Sequence, residues 1–148
     1  MGIVDHFVAY AAAFEEAYAN NNWAQLEPFF TEDAIYVNAA PAPFGGEYKG
    51  RTAVLTQFQT SANAFDRRFD SRKLDILEGP IEKDGAVWIR CAVLYTLTGA
   101  PDCRIEAEER ALFTGDRIAR LEDSMTDAET ERVGAYLAQH GTKLKPMK

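Results

Sequence analysis

From Ile3 to Asn20 apolar residues recur at Ile3, Phe7, Tyr10, Phe14 and Ala17, with Val4, Val8, Ala11 and Tyr18 beside them. Steps of three and four residues place them along one side of a helix, so the spacing predicts a first amphipathic helix. Asn20, Asn21 and Asn22 end it, because asparagine tolerates the left-handed conformation and caps helices well. Asn22 is then placed to cap a short second helix, Trp23 to Phe30, that buries Leu26, Phe29 and Phe30. Pro28 removes a backbone donor there, and the helix is expected to be strained or partly 3₁₀. Ala34 to Asn38 reads as a strand, and the run AAPAPFGG after it as a loop by its proline and glycine content. Helical spacing returns over Gly50 to Phe65 through Val54, Phe58, Ala62 and Phe65.

Beyond Phe65 the pattern changes to strands. They are predicted at Arg72 to Glu78, Ala86 to Thr98, Asp102 to Thr114 and Arg117 to Thr126, separated by Asp84-Gly85, Gly99-Ala100-Pro101 and Gly115-Asp116. Thr126 with Glu129 forms a capping box for a last helix to about His140, with Gly141 as its stop. Helices first and hairpin-linked strands afterwards imply an α+β fold with an antiparallel sheet. The expectation is one domain over residues 1–141 and a basic tail at residues 142–148.

Parity on the last two strands adds chemistry. Ile105, Ala107, Glu109, Ala111 and Phe113 share one face of their strand, and Glu109 alone among them is charged. On the next strand Ala119, Leu121, Asp123 and Met125 share a face, with Asp123 its sole acid. A tight turn near Gly115 sets Glu109 and Asp123 side by side on the inner face, within about one or two ladder steps. Two carboxyls on an apolar wall cannot both ionise cheaply, since desolvation and repulsion each favour a proton on one of them. Such a pair holds an acid and a base near neutrality. The plainer alternative is a strand end that lets one carboxylate reach water, or a buried Arg or Tyr that satisfies it.

Composition narrows the partners. The 148 residues carry 23 acidic and 16 basic side chains and 47% hydrophobic residues, which suits a single packed domain and gives nucleic acid no positive field. The amino-terminal helix is broken by Asp5, His6, Glu15 and Glu16, so neither a secretion signal nor a membrane span is expected, and a cytoplasmic location is. Cys91 and Cys103 face inward but lie too far apart along their hairpin for a disulfide, and are expected as free thiols. With only His6 and His140, no His-rich metal site and no Ser-His-Asp triad is expected. No cofactor is expected. Trp88 and Leu94 point to the outer face of the sheet, where a second copy would cover them in a homodimer.

The run Trp23-Ala-Gln-Leu-Glu-Pro-Phe-Phe-Thr-Glu-Asp-Ala-Ile-Tyr, then Tyr48-Lys-Gly-Arg-Thr-Ala-Val, then three long strands, resembles the SnoaL-like branch of the nuclear transport factor 2-like superfamily. The resemblance implies a cone, a curved antiparallel sheet wrapped around the N-terminal helices with one small-molecule pocket inside. Ile35-Tyr36-Val37-Asn38 before a Pro-rich loop is similar to the limonene-epoxide hydrolases, in which a Tyr, an Asn and a late-strand Asp hold and deprotonate a water. Tyr36, Asn38 and Asp123 match those three. The Arg and second Asp of those enzymes fall at Cys91 and Val93 here, so the epoxide-activating half is absent from its usual place. Ketosteroid isomerases share the cone, but their base aligns with Asn38 and their helix Tyr with Phe14. SnoaL-like polyketide cyclases remain compatible through Asp123.

These readings converge on a pocket for a small apolar molecule. Its expected walls are Phe14, Tyr18, Phe44, Phe58, Cys91 and Val93, and its expected chemistry is Asp123 as base, Glu109 as protonated acid, and Tyr36 with Asn38 beside them. Two functions stay open: a cofactor-independent acid/base enzyme, hydrolase-like or cyclase-like, and a binding protein without turnover. Buried charge favours the first, because a binder of apolar ligands gains nothing from it.

Overall fold

A computed structural model describes residues 2–40 and 45–147. Helix α1 (Ile3–Asn20) ends at Asn21 in the left-handed region, φ 56°, as the asparagine run predicts. Trp23–Phe29 is a 3₁₀ helix containing Pro28. Asn22 makes no side-chain capping bond there; instead its N–H donates to Asn20, and the Trp23 indole donates to Asn21.

Strand β1 (Phe30–Asn38) starts four residues earlier than its β-rich core suggests, because Phe30 pairs with Ile118 on another strand. Strand β2 (Gly46–Lys49) lies partly in the stretch read as loop, and its pairing of Tyr48 with Tyr36 is tertiary information. Helix α2 (Arg51–Ala64) follows. Strand β3 (Ser71–Lys83) continues past Glu78 through irregular steps between Ile76 and Ile81, which bend it. Gly79 makes this possible: its φ is 81°, and a Cβ there would sit 2.6 Å from the Trp88 carbonyl oxygen. Strands β4 (Ala86–Thr96), β5 (Cys103–Thr114) and β6 (Arg117–Ser124) and helix α3 (Asp127–His140) complete the order.

The sheet runs β2-β1-β6-β5-β4-β3, with every neighbouring pair antiparallel except β1 and β6, which are parallel. Helices α1 and α2 pack on its inner face around Phe7, Leu26, Phe30, Val54, Ile118 and Leu121. Each large apolar side chain sealed there contributes about 2 kcal/mol, which fixes the face of α1 that turns inward. A smaller core of Phe69, Tyr95, Leu97 and Cys103 is closed by Tyr136 of α3 and by Leu144.

Thr126 Oγ1 accepts from Glu129 N–H at 3.1 Å, the first half of the expected capping box. The Glu129 carboxylate turns away from the cap and accepts from Glu106 N–H of β5 at 2.9 Å, pinning α3 to the sheet. Gly141 keeps right-handed dihedrals, φ −58°, so it does not stop the chain in the expected way; a 3₁₀ turn, Gly141–Lys143, follows. Lys145 then exchanges backbone and side-chain bonds with Arg68. On the outer face Trp88 and Leu94 are half-buried, and Trp88 meets Glu108 and Lys83. No helix among the described residues is long and apolar enough to cross a membrane.

Candidate active site

The β5–β6 hairpin turns at Gly115, whose φ is 62°, and its register sets Glu109 directly opposite Asp123. One detail of the parity differs. A register shift between Leu112 and Phe113 brings Phe113 opposite Ile118, so fully buried Ile118, and not half-buried Ala119, supplies the apolar position there. A bulge on this strand inserts one residue and resets the alternation. Beyond it Leu121 and Asp123 face inward, as the alternation predicts.

The parallel pairing of β1 with β6 brings Asn38 opposite Asp123. This decides which face of β1 turns inward, since Tyr36 reaches across and donates its hydroxyl to Asp123 Oδ2 at 2.6 Å. Asn38 Nδ2 donates to the Tyr36 hydroxyl at 3.1 Å, while Asn38 Oδ1 accepts from Ala40 N–H at 2.9 Å. Glu109 hydrogen-bonds Asp123 from the other side. Burial first, then the Asp123 charge and that hydrogen bond, hold the Glu109 carboxyl well above the ordinary carboxylate range. Burial and the same Asp123 push the Tyr36 phenol up as well, so it remains a donor. Tyr36, Asn38, Asp123 and Glu109 thus form one continuous hydrogen-bonded chain. None of the ion pairs among the described residues reaches either carboxyl.

The chain borders a cavity of about 550 Å³, walled by Phe14 of α1, Cys91 and Val93 of β4, Ala107 of β5 and Leu137 of α3. A smaller chamber of about 220 Å³ shares Asn38, Glu109 and Asp123 and is walled by Tyr18, Tyr36 and Phe58. Together the two volumes suit a small organic molecule. Phe14 and Phe58 meet edge to face at 5.6 Å, and Phe58 meets Tyr36 at 5.0 Å, so the aromatic wall also locks the donor to Asp123. Phe44 lies outside the described residues. Burial, with Glu109 and Asp123 nearby, pushes the Cys91 thiol up to about 12, which makes it a small apolar wall residue and not a thiolate. Cys91 and Cys103 are free thiols. Among the described residues no group of three or more His, Cys, Asp or Glu is placed to hold a metal ion.

Two features escape the sequence reading. Tyr10, 3% exposed, borders both chambers one helical turn before Phe14, and burial followed by the charges of Glu109 and Asp123 raises its phenol. Its position four residues from Phe14 was the available signal. The second feature is a charged cluster. Arg72 on β3 donates from Nη1 to Glu15 at 2.7 Å and from Nε to Asp66 at 3.3 Å, and Tyr95 donates to the same Asp66 oxygen at 2.6 Å. Burial raises the Asp66 carboxyl, against the pull of Tyr95 and Arg72. Alternation exposes part of this cluster: Arg72 shares a strand face with Leu74 and Ile76, which line the larger chamber. Asp66 sits in a 3₁₀ turn after α2, where no periodicity marks it.

No protein-family model matches this sequence, and no curated protein does. Solved structures do. Bal32a, from a soil-derived mobile gene cassette, superposes with a TM-score of 0.69 at 16% identity over 91% of this chain and 98% of its own. A Catenulispora acidiphila protein with a ketosteroid isomerase-like fold, solved with trimethylamine, gives 0.62 at 20% identity over 93% of each chain. An NTF2-like protein of unknown function from Burkholderia pseudomallei gives 0.64 at 15% identity over 89% of this chain and 97% of its own. At such identities the likeness speaks for architecture: this chain has the NTF2-like α+β cone, a curved, mainly antiparallel sheet wrapped around its N-terminal helices.

Proposed function

We propose that this protein is a cofactor-independent acid/base enzyme, of the cyclase or isomerase kind, acting on a small and mostly apolar carbonyl compound. The observation that carries this reading is the pair itself: Glu109 and Asp123 on one rung, hydrogen-bonded, facing a cavity and without a cation. A pair that served only folding would place buried charge where an apolar pair would be less costly. With the proton on Glu109, Asp123 is the acceptor left to act as base, steadied by Tyr36 and Asn38. Asp123 takes a proton from the carbon beside the carbonyl; Glu109 turns its single acidic proton from Asp123 to the oxygen that gains charge, and Tyr10 donates toward the same oxygen.

Contact between the two carboxyls favours this chemistry over hydration of an epoxide. Opening an epoxide with water needs the acid on the far side of the substrate from the base, and Glu109 touches Asp123. The partial likeness to SnoaL-like cyclases through Asp123 agrees with the same preference.

The test is α-carbon exchange in deuterium oxide, followed by proton NMR on bicyclic ketones such as 2-tetralone that raise the melting temperature. Wild type should accelerate exchange. Asp123→Asn should slow it by about 10² to 10⁴ while the thermal shift persists. Full exchange by Asp123→Asn would sink the assignment.

A further inference from the structure

The chemistry above occupies one end of the cavity. At the other end, β3 sets Arg72 opposite Tyr95 of β4, six residues along β4 from Ile89, the rung partner of Glu109. Six residues of flat strand span about 20 Å. The curved sheet folds both ends onto shared space: Arg72 and Glu109 border the larger chamber, and Asp66, Tyr95, Glu109 and Asp123 border the smaller.

The Arg72 side chain is 10% exposed. Nε is committed to Asp66, and Nη1 to Glu15 at 2.7 and 3.2 Å. The Tyr95 hydroxyl, on the same Asp66 oxygen as Nε, also stands beside the guanidinium; Nη2 itself has no well-formed hydrogen bond to a described residue and is not among the atoms sealed from solvent space. The guanidinium stands 4.7 Å from the centre of the Tyr18 ring, a wall of the smaller chamber, so the fork is held in place with one arm unused.

Charge decides what that arm accepts. Glu15 and Asp66 already face the guanidinium, so a carboxylate or phosphate brought to Nη2 would meet two acids at close quarters. A neutral carbonyl or hydroxyl oxygen takes the hydrogen bond without that repulsion. We propose that Arg72 anchors a second polar subsite, and that the ligand is an elongated apolar molecule with a neutral oxygen at each end. Nη2 holds one oxygen and the Glu109–Asp123 end holds the other. The proposal rests on the cavity being the substrate site of the reading above, but not on turnover.

Calorimetric titration with the linear alkan-1-ols from hexanol to dodecanol, and with their matched α,ω-diols, tests it. A second hydroxyl lowers affinity for an apolar cavity unless something receives it. At one chain length the diol should bind wild type about tenfold more tightly than the mono-ol. Arg72→Lys keeps the positive charge between Glu15 and Asp66 but lacks the second arm. It should erase the diol gain, so that diol and mono-ol of one length bind this variant equally. Mono-ols that match or exceed diols at every length, a diol gain that persists in Arg72→Lys, or no binding of either series would each overturn the subsite. A diol gain without ketone exchange removes the acid/base reading and keeps the subsite; exchange without a diol gain does the reverse.

Discussion

Two groups of half-buried carboxyls border this cavity, and they are satisfied in opposite ways. Asp66 accepts from a tyrosine hydroxyl at 2.6 Å and from Arg72, which also binds Glu15. Asp123 accepts from a tyrosine hydroxyl at the same 2.6 Å, but its second neighbour is another acid, Glu109. The first arrangement compensates charge with charge; in the second the neighbour is an acid whose own carboxyl is held well above the ordinary range. Only the second leaves a proton that can move, because a guanidinium does not release its own near neutral pH. On the function and the subsite proposed above, the difference would separate an anchoring end of the cavity from a reacting end.

The largest effect that can break this comparison is on rate. Glu109→Gln should slow ketone exchange by about 10² to 10⁴, like Asp123→Asn, because Gln hydrogen-bonds but cannot give up a proton. Unchanged exchange would place Glu109 outside the chemistry. Next is stability at the compensated end. Arg72→Met leaves Asp66 buried without its cation and should cost about 3 kcal/mol in urea unfolding. The Glu15 share is smaller, since its side chain is 39% exposed. A loss under about 1 kcal/mol would mean that Asp66 needs no cation.

The acid pair has a pH signature of its own. The folded Glu109 carboxyl titrates above its unfolded value, so in the window between the two the native state holds more protons than the unfolded state. Stability from this group is fully present below the ordinary carboxylate range and is lost as pH rises through the raised folded value. Asp66 is also raised and adds the same sign to every variant that keeps it. Glu109→Gln should consequently lose less stability than wild type on going from acid to alkaline buffer. The gap should grow by roughly 1.4 kcal/mol per pH unit inside the window. Parallel melting curves for the two proteins across pH would refute the raised Glu109 carboxyl.

The smallest effect sharpens the comparison most directly. Tyr36→Phe and Tyr95→Phe each delete one phenol from an aspartate. The first should cost about 2 kcal/mol, because no described residue sets a cation beside Asp123, and the second about 1 kcal/mol, because Asp66 keeps Arg72. Equal losses in chemical denaturation would show that the cation makes no difference.

The Glu109–Asp123 pair was more legible than the Arg72 cluster. Glu109 and Asp123 stand alone as charges on apolar strand faces joined by a tight turn, and alternation with a hairpin is local information. Arg72 carried a similar signal on β3, but Asp66, Glu15 and Tyr95 come from a turn, a helix and another strand, and nothing in their spacing links them. The position expected to carry an Arg and an Asp on β4 holds Cys91 and Val93, while a guanidinium and a carboxyl reach the same cavity from elsewhere.

Local periodicity and turn chemistry thus determined the helix α1 boundaries, the hairpins and the inward pairing of Glu109 with Asp123, because each depends on residues close along the chain. Long-range pairing decided the rest. The early start of β1, the existence of β2, and the inward choice of Tyr36 and Asn38 all follow from strands meeting across the sheet. A strand has two equivalent faces until a partner buries one of them, and that partner is named only by the tertiary structure.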